Sequence, residues 1–348
     1  EAVLEDFYPR FYGPAATPME VYWSTIYEAW EKTICTEHEY FVAPAIYTPE
    51  VMAILREKIK QAEEEIKVVQ VAGKMTRNNS LYLRRMEFTR TSFDVLDNYI
   101  TMVRAAAGDV DYAAAVKAGE AGLKAREAMA TMGGIFNSTR LEKGYPWWPG
   151  EVQQYRELQA FTDGSKGVLV RKLPQQWALR RVPLEDNSDA ILDEKVDLVF
   201  WEQYQRKGKD TGAGAWLDQR RNYPDRWEMI RTDLYAQAQG IRHPDRQSYT
   251  GNLWYRTDLE LTAKEAAGPL HLRFPGLFNE CWLYVNGELV GEREQGKLWW
   301  LNDYRFEWDL SVAGRFRQGA NTITLRCKCE HHFGGMFRRP FLYRKVAP

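Results

Sequence analysis

Residues 327–343, CKCEHHFGGMFRRPFLY, crowd two cysteines and two histidines into six positions ahead of a Gly-Gly turn. Thiolates and imidazoles are zinc donors, so the spacing is tested against what a metal needs. On a strand, Cys327, Cys329 and His331 point to one face, while Glu330 and His332 lie on the other or in the following turn. Neighbours on one face are separated by twice a strand rise of about 3.3 Å, whereas a tetrahedral zinc needs four donors within about 2.0–2.3 Å of one point. One flat strand cannot supply four. Cys281 and His271, on other predicted strands, would have to be recruited, and no spacing demands it. The stretch is therefore read as small cysteines filling an inner face and then a loop, with neither metal nor cofactor expected. By the same geometry Cys327 and Cys329 do not bond each other.

As loop residues at the mouth of a sandwich, His331, His332 and Arg338 are candidates for a different chemistry. A sugar site needs a flat apolar plane for the ring and planar polar groups matched to adjacent hydroxyls. Trp299 and Trp300 in QGKLWWLNDY offer the plane, and Asn302 and Asp303 the hydrogen bonds. The competing reading places one Trp of the pair in the core and packs the other on the helical half. A second aromatic patch, Tyr145-Pro-Trp147-Trp148-Pro149, falls at a transition between elements and is assigned to an interface rather than a ligand. Acid–base hydrolysis of a glycoside needs two facing carboxylates, about 5 Å or about 6.5–9.5 Å apart. Among 48 acidic residues nothing singles out such a pair, Glu202 and Glu280 included, so the catalytic residues are unknown.

The elements that would hold these side chains change character along the chain. Up to residue 165 the pattern is helical. Thr17-Pro18-Met19-Glu20 reads as a capped helix start, and Thr48-Pro49 repeats the device. Behind it Val51, Leu55, Ile59, Ala62 and Ile66 share one face, with KIKQAEEEIK as the wet face. A third helix follows Tyr82, Met86, Phe93, Leu96, Ile100 and Val103; an Ala-rich fourth runs over 111–132 to Gly133-Gly134; a shorter fifth covers 151–161. Antiparallel helices with short connections predict a bundle.

From about residue 166 the period becomes two. VLVRKL, KVDLVF, LWYRTDLEL, LHLRF, CWLYVNGELVG, YRFEWDL and NTITLRC read as strands broken by Gly, Pro and Asn, and Asn286-Gly287 suits a tight hairpin turn. The expected fold class is α+β in two domains: an all-α helical bundle over 1–165, then an antiparallel β-sandwich of jelly-roll type over 166–348, divided near TDGSKG.

Composition narrows the function. The chain has 348 residues, 47 Lys+Arg against 48 Asp+Glu, 13 Trp and 19 Tyr. Balanced charge, with Arg-rich fragments scattered among acids, argues against nucleic acid. No apolar run is long enough to span a bilayer. Four cysteines make no disulfide scaffold. No Gly-x-Ser-x-Gly elbow, P-loop or dinucleotide fingerprint is present. EAVLEDFYPRFYG opens the chain without Met or signal peptide, as a mature form or an excised piece would.

The second half carries an ordered series of motifs: Trp227-Glu-Met-Ile230, Gln239-Gly240, Gly251-Asn-Leu-Trp254-Tyr255-Arg256, Arg273-Phe274-Pro-Gly276, Val285-Asn286-Gly287, Trp308-Asp309-Leu310, Gly319-Ala-Asn321-Thr322 and Gly334-Gly335-Met-Phe-Arg338-Arg-Pro340. In this order, over about 120 residues, they resemble the jelly-roll, galactose-binding-like domain of glycoside hydrolase family 2, the β-galactosidase and β-glucuronidase relatives. FYGPAATPMEVY (11–22) and RRMEFTRTSFDVLDNYI (84–100) are similar to the helical part of domain of unknown function 4838, a match covering roughly residues 1–140. The two resemblances imply the non-barrel C-terminal part of a larger, extracytoplasmic glycoside-hydrolase-like protein. Barrel active sites lie at the C-terminal ends of barrel strands, and no such strands are read here.

The expected function is accordingly a non-catalytic accessory region that buttresses a catalytic barrel of the same polypeptide and holds poly- or oligosaccharide near it. Two other readings stand beside it. One is a self-sufficient glycosidase acting on uronic-acid or galactoside polysaccharides; the other is a purely structural or oligomerisation unit, with an apolar patch and no sugar-sized cleft.

Overall fold

Helices α1 (Ala2–Tyr12), α2 (Ala16–Glu31), α3 (Glu39–Ile46), α4 (Pro49–Val71), α5 (Arg77–Ala107), α6 (Tyr112–Met132) and α7 (Trp147–Gln159) precede every strand of the computed structural model. It describes residues 2–32, 39–71, 76–133, 147–186, 189–199, 226–241, 249–278, 280–294, 306–329 and 334–346. One compact unit comprises Glu1–Thr33, Ala43–Met102 and Lys117–Pro149. Within it α4 buries Met52, Leu55, Ile59, Ala62, Ile66 and Val69, the expected stripe except that Met52 takes the place of Val51. The Thr48 hydroxyl accepts from the Val51 amide at 3.3 Å, as a cap at that position should. The other expected cap fails. Helix α2 starts at Ala16 behind an Ala15 cap with no side-chain bond, so Thr17 and Pro18 sit in its first turn. Pro18 is tolerated there because first-turn amides have no partner inside the helix.

The second unit comprises Ile34–Val42, Val103–Val116 and Gly150–Pro348. Its strands are β1 (Gly167–Lys172), β2 (Gln176–Val182), β3 (Leu198–Val199), β4 (Trp227–Arg231), β5 (Gly251–Leu261), β6 (Leu270–Phe274), β7 (Gly276–Phe278), β8 (Glu280–Val285), β9 (Glu288–Arg293), β10 (Trp308–Ser311), β11 (Gly319–Cys329), β12 (Gly335–Arg338) and β13 (Phe341–Lys345). Among the described residues they form a seven-stranded sheet, β3-β4-β2-β5-β11-β8-β9, a four-stranded sheet, β1-β13-β6-β10, and the pair β12-β7. All pairings are antiparallel except the two-residue β3–β4 contact. Alternate residues of both larger sheets meet in one core, with Trp177, Leu179, Leu253, Tyr255, Leu283 and Leu325 from the first and Leu270, Leu272, Phe274 and Leu342 from the second. The fold class is thus helices followed by an antiparallel β-sandwich. Asn286 and Gly287 turn β8 into β9 with φ of 53° and 83°, the left-handed pair that a two-residue hairpin requires.

Compactness does not follow the change of periodicity at residue 165. The last turn of α5 and the first of α6 belong with the strands, and so does the body of α7. The cause is visible in hydrogen bonds: the Arg339 amide donates to the Ala107 carbonyl at 2.8 Å, and its guanidinium to the Gly108 carbonyl at 3.1 Å. Tyr112 and Tyr155 stack at 6.3 Å beside Phe341. Helix α7 also starts four residues earlier than expected, at Trp147 rather than Glu151. Trp148 then packs against Tyr99 at 5.0 Å inside the first unit, and Gly122 leaves the room its ring occupies.

Candidate functional site

The strand ends that bound the two candidate segments are set by register. Cys281, near the start of β8, lies opposite Cys327 on β11 and opposite Arg293 on β9. Beyond those partners the chain leaves β9 after residue 293 and β11 after residue 329. The returns are neighbours as well. Phe306 accepts from the Leu277 amide at 2.7 Å, and Gly335 pairs with Phe278 on β7. The rings of Phe278 and Phe306 meet edge to face at 4.6 Å. Both departures therefore flank β8 and both returns flank β7, two strands separated by one residue of chain. Trp299, Trp300, Asn302, Asp303, His331 and His332 lie between these ends, outside the described residues.

Arg338 does not lie on the lip. It belongs to β12 and is 3% exposed. Its guanidinium donates to Glu151 at 3.2 Å, to Gln154 at 3.0 Å and to the Pro275 carbonyl at 3.3 Å, all within the second unit. The rings of Tyr155 and Phe337 cover it at 5.3 and 4.9 Å. A buried Arg stays charged and is accommodated only with such partners. From there polar contacts continue outward. Gln154 donates to Glu307 at 2.8 Å, Glu307 pairs with Arg273, and Arg273 approaches Asp309 at 3.7 Å. Tyr343 donates to Asp309 at 2.8 Å. Burial, opposed by Arg338 and by the Tyr155 hydroxyl, pushes the Glu151 carboxyl above its ordinary value. Burial also works against the charge of Arg338, but its neighbours, Tyr155 and then Glu151, hold it above the usual range. Arg338 is charged throughout, so within the pair it is Glu151 that can change its protonation.

The cysteines sit on rungs of the seven-stranded sheet. Cys327 and Cys329 share the inner face, as the spacing predicts, and both are fully buried. The Cys329 sulfur meets the Tyr249 carbonyl at 3.3 Å, and the Cys327 sulfur lies 3.7 Å from that of Cys281. His271 is on β6 in the other sheet, with Nδ1 3.6 Å from Asp309. Among the described residues no group of three or more His, Cys, Asp or Glu is placed to hold a metal ion. Glu280 faces Lys328 across β8 and β11 at 3.5 Å; Glu202 is outside the described residues.

The Glu151–Arg338–Gln154 cluster was not legible in the sequence. Its only signal is the Glu-x-x-Gln spacing of Glu151 and Gln154, which puts both on one helix face.

No family model and no curated protein matches the chain. Solved structures do match in part. The β-glucuronidase of Ruminococcus gnavus aligns at 12% identity and a TM-score of 0.33, over 52% of this chain and 29% of its own. That of Bifidobacterium dentium, complexed with coumarin-3-O-glucuronide, aligns at 13% identity and a TM-score of 0.32, over 47% of this chain and 20% of its own. The chain thus spans less than a third of the length of either. What the fold itself defines is an α+β protein with helices first and an antiparallel sandwich after them.

Proposed function

We propose that this chain is a non-catalytic, carbohydrate-binding accessory region of a larger glycoside-hydrolase-like protein, working beside a catalytic barrel of the same polypeptide. The observation that supports it most is the meeting of strand ends at β7 and β8. The described strands that bound the segment holding Trp299, Trp300, Asn302 and Asp303 are neighbours of those that bound the segment holding His331 and His332. In this reading the indoles supply the stacking plane and the amide, carboxylate and imidazoles bind hydroxyls. Arg338 is not a ligand in this reading; it ties β12 to α7. Calorimetric titration of the intact chain with uronic-acid and galactoside oligosaccharides tests this. Binding is expected, weakened about tenfold by Trp299→Ala or Trp300→Ala, which corresponds to about 1.4 kcal/mol for one ring. Failure to bind any of these sugars would demote the sandwich to a structural support. Release of sugar from a chromogenic glucuronide or galactoside by this chain alone would refute the non-catalytic role.

A further inference from the structure

Cys281 and Cys327 are neighbours in space and 46 residues apart in sequence. They oppose each other on adjacent antiparallel strands, with sulfurs 3.7 Å apart and both side chains fully buried. Directly opposed residues have Cα atoms about 4.5–5.5 Å apart, inside the span of about 4.4–6.8 Å that a disulfide bridges. Closing the sulfurs to about 2.05 Å needs side-chain rotation and no change of register. Cys329, two residues on, has its sulfur against the Tyr249 carbonyl, so the alternative partner on the same strand is turned elsewhere.

We propose that Cys281 and Cys327 are an oxidisable pair, a cross-strand disulfide site that a small peroxide closes. The environment divides the roles. The Arg293 guanidinium, on edge strand β9, stands 3.7 Å from the Cys281 sulfur. Burial works to raise the Cys281 thiol, but the hydrogen bond with Cys327 and the Arg293 charge outweigh it and hold the thiol below its ordinary value. Burial pushes the Cys327 thiol well up. Cys281 is therefore the attacking thiolate and Cys327 the resolving thiol. The Cys281 sulfur attacks one peroxide oxygen, the O–O bond breaks, and the departing oxygen takes a proton to leave as water, giving a sulfenic acid. The Cys327 sulfur then attacks that sulfur, and the S–O bond breaks. The hydroxyl leaves as a second water with the Cys327 proton. Two thiols and one peroxide become one disulfide and two waters. Among the described residues Cys281 lies one strand in from the sheet edge, and its full burial limits the reaction to small oxidants.

The test exposes the intact, folded chain to hydrogen peroxide, quenches it, then denatures, alkylates and maps peptides by mass. The expected product is a peptide pair joined through Cys281 and Cys327, about 2 Da lighter than the sum of the reduced peptides and separated by dithiothreitol. In Cys327→Ser the intermediate has no resolving thiol, and Cys281 is expected to be labelled by dimedone present as the chain is denatured. Should that variant not fold, the wild-type map decides alone. Both thiols fully alkylated after treatment, a link to a different cysteine, or sulfinic acid at Cys281 beside a free Cys327 would each overturn the proposal.

Discussion

Replacing Glu151 with Gln keeps the shape of the side chain and removes a carboxylate bonded directly to Arg338. The guanidinium retains the Gln154 and Pro275 oxygens at 3.0 and 3.3 Å, but these carry no net charge. Because Arg cannot shed its proton, the charge stays buried with its directly bonded carboxylate gone. Breaking one side of a buried pair costs about 3–5 kcal/mol, and the surviving neutral acceptors place Glu151→Gln near the low end, about 3 kcal/mol. For a unit of this size that corresponds to a drop in Tm of roughly 6–12 °C. Arg338→Met behaves differently, since the carboxyl left behind can take up a proton. Its folded-state value, already raised by burial from 4.5, rises further once the Arg338 charge is gone. A folded value above the unfolded one stabilises most below the unfolded value and loses that stabilisation as pH rises through the folded one. Arg338→Met is therefore expected to be mildly destabilised at pH 4.5 and progressively more so towards pH 8. The assay is thermal unfolding across that pH range, followed by tryptophan fluorescence. A Glu151→Gln midpoint close to wild type, or an Arg338→Met penalty independent of pH, would refute the reasoning.

Two glycines separate backbone strain from collision. Gly287 has φ of 83° with open space around it, so Gly287→Ala is expected to cost about 1 kcal/mol. Gly335 has φ of 77°, and a Cβ there would strike the Tyr255 hydroxyl, so Gly335→Ala should cost at least about 2 kcal/mol more; equal denaturation midpoints would remove the collision. Asn321 is 2% exposed, accepts from the Arg317 amide and the Asn286 side chain at 3.0 Å, and donates to the Arg317 and Gly319 carbonyls at 2.7 and 2.9 Å. Asn321→Ala is expected to destabilise by about 2 kcal/mol in urea unfolding, because the groups it served lose their partners.

Several elements were legible because their signals are local. The stripe of α4 repeats at helical spacing, NTITLRC alternates, and Asn286-Gly287 satisfies a turn with its own backbone freedom. Strand β2, QWALRRV, went unread because Arg181 occupies a buried position that alternation assigns to an apolar residue. The structure pairs it with Glu228 on β4 at 3.1 Å, both nearly buried. Its partner is 47 residues away, beyond any local pattern. Arg338 misled in the same way: an arginine shortly after a Gly-Gly turn reads as a loop residue until a carboxylate 187 residues earlier is placed against it. Of the expected sugar-binding residues, the structure places Arg338 alone.

By itself the sequence determined that helices come first and strands after, where the two-residue turn falls, and that Cys327 and Cys329 share a face. Each follows from periodicity and backbone preference within a few residues. Only the tertiary structure decided that the ends of α5 and α6 pack with the strands, that Arg338 is interior, and that Cys281 stands opposite Cys327. Strand register and buried charge pairing join residues distant along the chain, and their energies exist only once burial has excluded water.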